Sequence, residues 1–240
     1  MSLQFTSSVH ELGIDLDDTA VHRFAQYRDR LVSAAQQFNL TTVRDPQAIE
    51  VRHFLESIAF GRLLEAEGLL EAGTSVLDIG SGAGFPGLPI QIAYPGVRMT
   101  LLESLTKRCL FLQDVVDALK LKQTTVADGR AEEFGRDERY REQFDLVVAR
   151  AVAPMPVLIE YALPFLRVGG RLAATKGSAT LRELDESAAA LAELGGEHLK
   201  TLLFSPPEGM QQSVILIAKV APTPQRYPRR PGMATKRPIR

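Results

Sequence analysis

The sequence lacks several features that would direct the reading elsewhere. It holds a single cysteine, Cys109, in 240 residues. That excludes an internal disulfide and a cysteine-rich metal site. No apolar run reaches the roughly 18 residues that a membrane span needs. The opening stretch, MSLQFTSSVHELGIDLDD, turns acidic where a secretory signal would place its apolar core. A cytoplasmic chain without a membrane partner is therefore expected. There is no internal repeat. Net charge is nearly absent as well: 28 Lys+Arg stand against 29 Asp+Glu, a formal −1. With 45% hydrophobic and 24% charged residues, the composition is that of a folded globular chain.

The balanced charge hides an asymmetry. Six cations (Arg226, Arg229, Arg230, Lys236, Arg237, Arg240) and no acid lie in residues 221–240. Taking six from 28 leaves 22 basic against 29 acidic groups in the rest, a formal −7. A cationic tail on an acidic body suits a polyanionic partner, although a solvated extension without a partner has the same composition. Five prolines in that tail argue against a regular helix there.

Periodicity divides the chain into a helical part (1–72), a central domain (73–220) and the basic Pro-rich tail (221–240). Phe24, Tyr27, Leu31 and Ala34/Ala35 repeat at helical spacing over 18–38, with Asp17 or Asp18 as cap. Asp45-Pro46 starts a second helix with an apolar face of Val51, Phe54, Leu55 and Ile58, and a third is expected over 60–71, ending at Gly73. From residue 74 short apolar strands alternate with helices: strands at 74–79, 98–103, 123–127, 144–149, 170–175, 198–204 and 213–219, helices at 87–94, 105–120, 130–135, 155–166 and 179–195. Such alternation means a mostly parallel sheet covered on both faces. The short link Ser205-Pro206-Pro207-Glu208-Gly209 makes the last two strands an antiparallel hairpin. Seven strands ending so resemble the Rossmann-like, class I S-adenosylmethionine-dependent methyltransferase fold.

The first strand runs into Asp78-Ile79-Gly80-Ser81-Gly82-Ala83-Gly84-Phe85-Pro86-Gly87. Gly80, Gly82 and Gly84 permit positive φ and close approach of a ligand to the backbone, at the strand end where doubly wound sheets bind ligands. Gly82, Gly84 and Gly87 also fit the dinucleotide fingerprint, and Glu103, ending the second strand, is placed for ribose hydroxyls. A nicotinamide dinucleotide therefore competes with S-adenosylmethionine, and a tight turn without a ligand is the plain alternative. Two features favour S-adenosylmethionine. Asp78 precedes the glycines and can accept its ammonium. Pro86 removes an amide hydrogen where a pyrophosphate would need donors. Ala131 and Glu132, after the third strand, can cover adenine with main-chain groups, or Asp128 can simply cap a helix. Arg150 and Lys176 follow the fourth and fifth strands, where catalytic or substrate groups belong.

Some methyl acceptors fit poorly. Pyrimidine C5 usually needs a nucleophilic cysteine, and Cys109 sits inside a helix pattern. Exocyclic amines go with an Asn-Pro-Pro-aromatic tetrapeptide, whereas this chain has Arg150-Ala151-Val152-Ala153. No divalent-metal carboxylate cluster assembles from the spacing, and no metal is expected. Guanine N7 needs none of these, since its lone pair is free and no proton must leave.

Asn39-Leu40-Thr41, Val43-Arg44-Asp45-Pro46 and Val51-Arg52-His53-Phe54-Leu55-Glu56-Ser57 resemble the N-terminal signature of ribosomal small-subunit methyltransferase G, the RsmG/GidB family. The stretch Leu77–Gly87, then Glu103-Ser104-Leu105 with Lys107-Arg108, Arg130-Ala131-Glu132, Arg150-Ala151 and Lys176-Gly177 follow in that family's order. The resemblance covers most of residues 30–180, and the tail is similar to the C-terminal extension of some members. It implies methyl transfer from S-adenosylmethionine, leaving S-adenosylhomocysteine, to N7 of one 16S rRNA guanine, the family's guanosine-527 site. By motif, Gly80, Phe85, Glu103, Ser104, Leu105, Ala131, Glu132 and Arg150 would contact the cofactor. Asp78, Gly82 and Gly84 join them from the loop itself, and Arg150 and Lys176 are the catalytic candidates. Glu103 stands where many relatives have Asp. Arg52, His53, Lys107, Arg108, Arg229, Arg230, Lys236 and Arg237 are the candidate RNA contacts; His53 beside Phe54 and Leu55 also suits a satisfied interior residue. The expected partner is 16S rRNA, free, in the small subunit or in an assembly intermediate. No DNA is expected, and the chain is expected to be a monomer. A methyltransferase of protein or small molecules, and a non-enzymatic RNA-binding module, are the other readings.

Overall fold

The computed structural model describes every residue except 38, 39, 42, 44, 178, 179, 207–210 and 240. The apolar runs become one seven-stranded sheet: β1 (Ser75–Ile79), β2 (Arg98–Glu103), β3 (Thr124–Asp128), β4 (Phe144–Arg150), β5 (Leu166–Lys176), β6 (Gly196–Phe204) and β7 (Gln212–Lys219). Their order is β3-β2-β1-β4-β5-β7-β6. The first five strands pair in parallel, while β7 runs antiparallel to both β5 and β6. The order reverses between β1 and β4, so the crevice at their carboxyl ends is where such a sheet receives a ligand.

Alternate strand residues feed two cores. Val76, Leu101, Leu146 and Val148 point to one face, packed under α1 (Leu3–Glu11), α2 (Asp18–Gln37), α3 (Pro46–Ile49), α4 (Glu56–Ala66), α5 (Gly87–Ala93) and α6 (Thr106–Ala118). Leu77, Val147, Leu172 and Ile217 point to the other. That face carries α7 (Ala131–Phe134), α8 (Met155–Ala162), α9 (Thr180–Asp185), α10 (Ala188–Leu194) and α11 (Met233–Lys236). The first seventy residues thus share a single core with the sheet.

Several boundaries differ from the periodic reading. α1 was not expected from it; Ser2 caps the helix through its Oγ, and Phe5 and Val9 bury its apolar side. The second and third expected helices are one helical run over 46–66, with Glu50–Leu55 wound as a π-helix, and the run ends well before Gly73. No break is needed because Ile58, Ala59, Phe60 and Leu64 are all buried. Gly61 is where the run packs most closely: a Cβ there would lie 2.9 Å from the Tyr94 ring. Asp45 accepts the Ala48 amide at 2.7 Å, and Asp17 that of Ala20 at 2.7 Å, as caps should. The helix expected over 179–195 is α9 and α10, its first residue lying outside the described set. The hairpin link 207–209 lies outside it too.

The tail is not a free extension, and it does contain one helical turn, α11. Arg229 binds Glu160, a fully buried carboxylate, through Nε (2.9 Å) and Nη2 (2.5 Å), and donates its own amide at 2.9 Å. Arg141 donates to the Tyr227 and Thr223 carbonyls at 2.8 and 2.7 Å, and Arg136 to Pro228 at 2.8 Å. A proline-rich segment has carbonyls but few regular partners for them; arginines of the body satisfy these groups. Buried Lys219 adds bonds to the Leu163 carbonyl (2.9 Å) and to Thr223. Of the described tail cations, Arg226, Arg230, Lys236 and Arg237 are exposed, and of these Arg226 is held by Glu193.

Candidate functional site

The glycine loop is a closed turn at the end of β1. Gly80 and Ser81 donate their amides to the Leu102 carbonyl at 2.8 and 3.1 Å, and Gly84 and Phe85 donate theirs to Ser81 at 2.8 and 2.9 Å. Gly80, Gly82 and Gly84 all have positive φ. They do different work. A Cβ on Gly82 would meet no side chain, and one on Gly80 would approach Val152 at 3.1 Å. A Cβ on Gly84 would collide with Leu88 at 2.4 Å and the Tyr27 hydroxyl at 2.6 Å, so Gly84 serves packing rather than ligand approach. Tyr27 reaches from α2 to donate to the Ala83 carbonyl. That bond braces the loop from the helical part, a role not visible in its helical spacing.

Asp78 is fully buried. Its Oδ2 accepts the Gly87 amide at 2.9 Å, and its Oδ1 has no partner among the described residues. Burial pushes its carboxyl up to about 7, partly opposed by the Gly87 amide. Glu103 ties β2 to the loop: Oε1 accepts the Ser104 and Leu105 amides (2.8 and 2.9 Å), and Oε2 the Gly82 amide (2.9 Å). Arg108 lies 3.6 Å from the same carboxylate.

Beside these groups lies a cavity of about 240 Å³, lined by Ile79, Gly80, Leu102, Ser104, Gly129, Arg130, Ala131, Glu132, Val152, Tyr161, Gly232 and Thr235. Apolar walls with main-chain and carboxylate groups at one end suit a purine nucleoside. Gly80, Ser104, Ala131 and Glu132 come together here. Leu105 is exposed and does not line it. Tyr161, Gly232 and Thr235 were not singled out in the sequence.

A second cluster lies between the π-helical segment and the loops. Arg150, ending β4, places Nη1 3.5 Å from Glu56 Oε2 and Nη2 3.3 Å from His53 Nδ1, with its guanidinium 5.4 Å from the centre of the Phe85 ring. His53 stacks on Phe85 at 4.5 Å, and its Nε2 meets Thr41 Oγ1 at 2.9 Å. Burial, then the nearby Arg150, push the His53 imidazole down to about 4. His53 is thereby held in its neutral form, so as a candidate RNA contact it offers a ring face and no charge. Glu56 is also held by Gln212 at 2.9 Å. Arg150 Nη1 makes no hydrogen bond among the described residues.

Lys176 is also held by its neighbours. Its Nζ lies 2.8 Å from Glu183 and donates to the Ala153 carbonyl, while Glu183 also accepts the Met155 amide at 2.9 Å. Its charge is spent on holding the loop after β4, in which Ala151 has φ +55°. Lys176 thus holds the residues that follow Arg150, with its charge paired to Glu183. Arg229 is likewise neutralised by Glu160, and Arg108 is half-buried against Glu103, whereas Arg52 and Lys107 are exposed. Cys109 is buried with its thiol near the Glu103 carbonyl and pushed up to about 12 by burial, so it is no nucleophile.

Residues 20–213 match the family model described as GidB, rRNA small subunit methyltransferase G. Among curated relatives, a ribosomal RNA small subunit methyltransferase G of Leuconostoc citreum is 42% identical over 235 residues, covering 98% of both chains. One of Roseiflexus castenholzii is 43% identical over 227 residues, covering 95% of both. Among solved structures, MtNAS in complex with MTA and tNA superposes with a TM-score of 0.57 at 14% identity, covering 90% of this chain and 75% of that one. This last likeness concerns the fold alone.

Proposed function

The chain belongs to the small-subunit rRNA methyltransferase G (GidB) family of S-adenosylmethionine-dependent methyltransferases, and from that premise we propose that it methylates N7 of a guanine in 16S rRNA, at the family's guanosine-527 site. The observation that carries the reading is Arg150. It stands at the switch point of the sheet, beside the glycine loop, with Nη1 3.5 Å from the Glu56 carboxylate and without a hydrogen bond among the described residues.

The residues present fit the cofactor. Asp78 Oδ1 and Arg150 Nη1, neither hydrogen-bonded among the described residues, are an acceptor and a donor for an ammonium and a carboxylate. Glu103 keeps acceptor capacity on Oε2 for ribose hydroxyls. The cavity bounded by Ala131, Glu132 and Tyr161 takes the adenine. When bound, the cofactor supplies an electrophilic methyl. Transfer to the N7 lone pair would form the C–N bond as the C–S bond breaks, leaving that electron pair on sulfur and the positive charge on the purine. No proton moves, so this chain's residues need only hold N7 in line, roughly 3–3.5 Å from the methyl, and keep water out. Arg150 donates to guanine O6, Glu56 accepts from N1–H, and the His53–Phe85 stack offers a flat apolar side to the base. Arg52, Lys107, Arg230, Lys236 and Arg237 meet phosphates.

Two tests belong here. An ammonium beside Asp78 favours its ionised form, so binding below pH 7 must release the proton that burial retains. Affinity for S-adenosylhomocysteine should therefore tighten as pH rises from 6 to 7.5, by about tenfold per unit at the steep end. Calorimetry in two buffers of different ionisation enthalpy reads the released proton; a dissociation constant flat across this range rejects the role of Asp78. In the unliganded protein Asp78 lowers stability as pH rises from about 4 to 7, because the unfolded aspartate ionises first, while His53, pushed down to about 4, raises it up to its ordinary 6.5. The Asp78 contribution is therefore read as the difference between the parent and Asp78→Asn.

Second, joint replacement of Arg230, Lys236 and Arg237 by alanine should lower the slope of log affinity for 16S rRNA against log salt by about 2. Equal slopes would remove these residues from the RNA face. The decisive assay for the whole reading is mapping of N7-methylguanine in 16S rRNA incubated with the protein and labelled cofactor. Incorporation into protein or small molecules without RNA would favour a different acceptor.

A further inference from the structure

One wall of the nucleoside cavity does not come from the strand ends. Gly232 and Thr235, more than ninety residues beyond the last of the β3 loop, line it alongside Tyr161 and Glu132. These contacts are specific. The Gly232 amide donates to Glu132 Oε1 at 2.9 Å, and Glu132 is buried. The Thr235 hydroxyl bonds that of Tyr161 at 3.1 Å. Just behind, Arg229 grips Glu160, the residue before Tyr161. The tail anchor and the pocket wall are therefore adjacent on both chains of contact.

We propose that residues 232–236 are a working wall of the adenosyl pocket, and that adenosyl binding and docking of the C-terminal segment stabilise each other. The inference rests on the reading of this cavity as the adenosyl site. Glu132 is the pivot. It begins α7 at the cavity, and the tail amide fixes its carboxylate. Without that amide the carboxylate is free to turn into the cavity or to water. Thr235 fixes Tyr161 in the same way on the neighbouring side. Any factor by which the wall tightens ligand binding must equal the factor by which ligand tightens wall docking. The same segment carries Lys236 and Arg237 on its exposed side, so occupancy of the pocket also fixes where these cations stand.

Deleting residues 232–240 removes the wall but keeps Tyr227 and the Arg229–Glu160 anchor. The dissociation constant for S-adenosylhomocysteine, by calorimetry, should rise about tenfold or more, the scale of one charged hydrogen bond with its enclosure. In the intact protein without RNA, trypsin cleavage after Arg229 and Lys236 should slow at least about fivefold at saturating S-adenosylhomocysteine, following the mass-action protection of a linked equilibrium. Thr235→Trp, at an exposed position, exchanges the bond to Tyr161 for a bulky ring at the cavity and should also weaken binding several-fold, with the melting temperature checking that the fold is kept. Should the deletion unfold the chain, this variant and the protease rates decide. Unchanged affinity in Thr235→Trp with ligand-independent cleavage overturns the proposal. Failure of the intact chain to bind S-adenosylhomocysteine at all would instead overturn the adenosyl reading beneath it.

Discussion

Gly80→Asp should abolish cofactor binding, lowering affinity for S-adenosylhomocysteine by more than about 100-fold, or roughly 2.7 kcal/mol. Gly80 has φ +68°, where a side chain is strained whatever space surrounds it. An L residue in that region costs about 1–2 kcal/mol. The new Cβ would press on Val152 at 3.1 Å, and the carboxylate beyond it must enter the cavity that Gly80 lines. Three effects thus act together: backbone strain, displacement of Val152 and loss of ligand volume. Gly80→Ala carries the first two but leaves most of the volume, so it should retain far more affinity. Calorimetry on both variants separates these contributions. Affinity within threefold of the parent for the aspartate variant would contradict the placement of the cofactor here.

Arg150→Met should reduce kcat/KM for methyl transfer to 16S rRNA by about 10³-fold, the scale of losing a preorganised charged donor at a reacting centre. Stability falls too, because Glu56, with its side chain only 15% exposed, loses its cation. Breaking one side of a buried pair costs about 3–5 kcal/mol at the extreme; the Gln212 amide on Glu56 keeps the loss nearer the lower end. Adding Glu56→Gln removes the orphaned charge. The double variant should regain stability yet turn over far more slowly than Glu56→Gln alone, which loses the N1–H acceptor but keeps Arg150, and that difference distinguishes a chemical role from a structural one. Arg150→Lys should recover little, since an ammonium cannot serve Glu56, His53 and a base edge with one planar fork. Recovery of turnover in the double variant would reduce Arg150 to a scaffold.

The legible parts of this molecule were local. β2 spans 98–103 as read, because Met99, Leu101 and Leu102 are buried between helices and mark the strand in sequence. The glycine turn after β1 could be read because three alternating glycines open the positive-φ conformations that its tight turn uses. The π-helical segment Glu50–Leu55 could not be read, since its apolar residues keep helical spacing. Gly84 looked like a ligand-facing glycine until Leu88 and Tyr27 filled the space of its missing Cβ. Lys176 and Arg229 looked like free cations because their acids, Glu183 and Glu160, lie elsewhere in the chain.

From the sequence alone came the alternation of strand and helix, the position of the glycine turn, and the family motifs that name the chemistry. These depend on residues within a few positions of one another, where periodicity and backbone sterics act directly. The folded chain decided which charges remain available and what encloses the nucleoside cavity. Arg150 meets His53 across 97 residues, Arg229 meets Glu160 across 69 and Gly232 meets Glu132 across 100. Charge pairing and desolvation fall off over a few ångströms of space, not of sequence. They are therefore set only when sheet order and tail docking bring distant segments together.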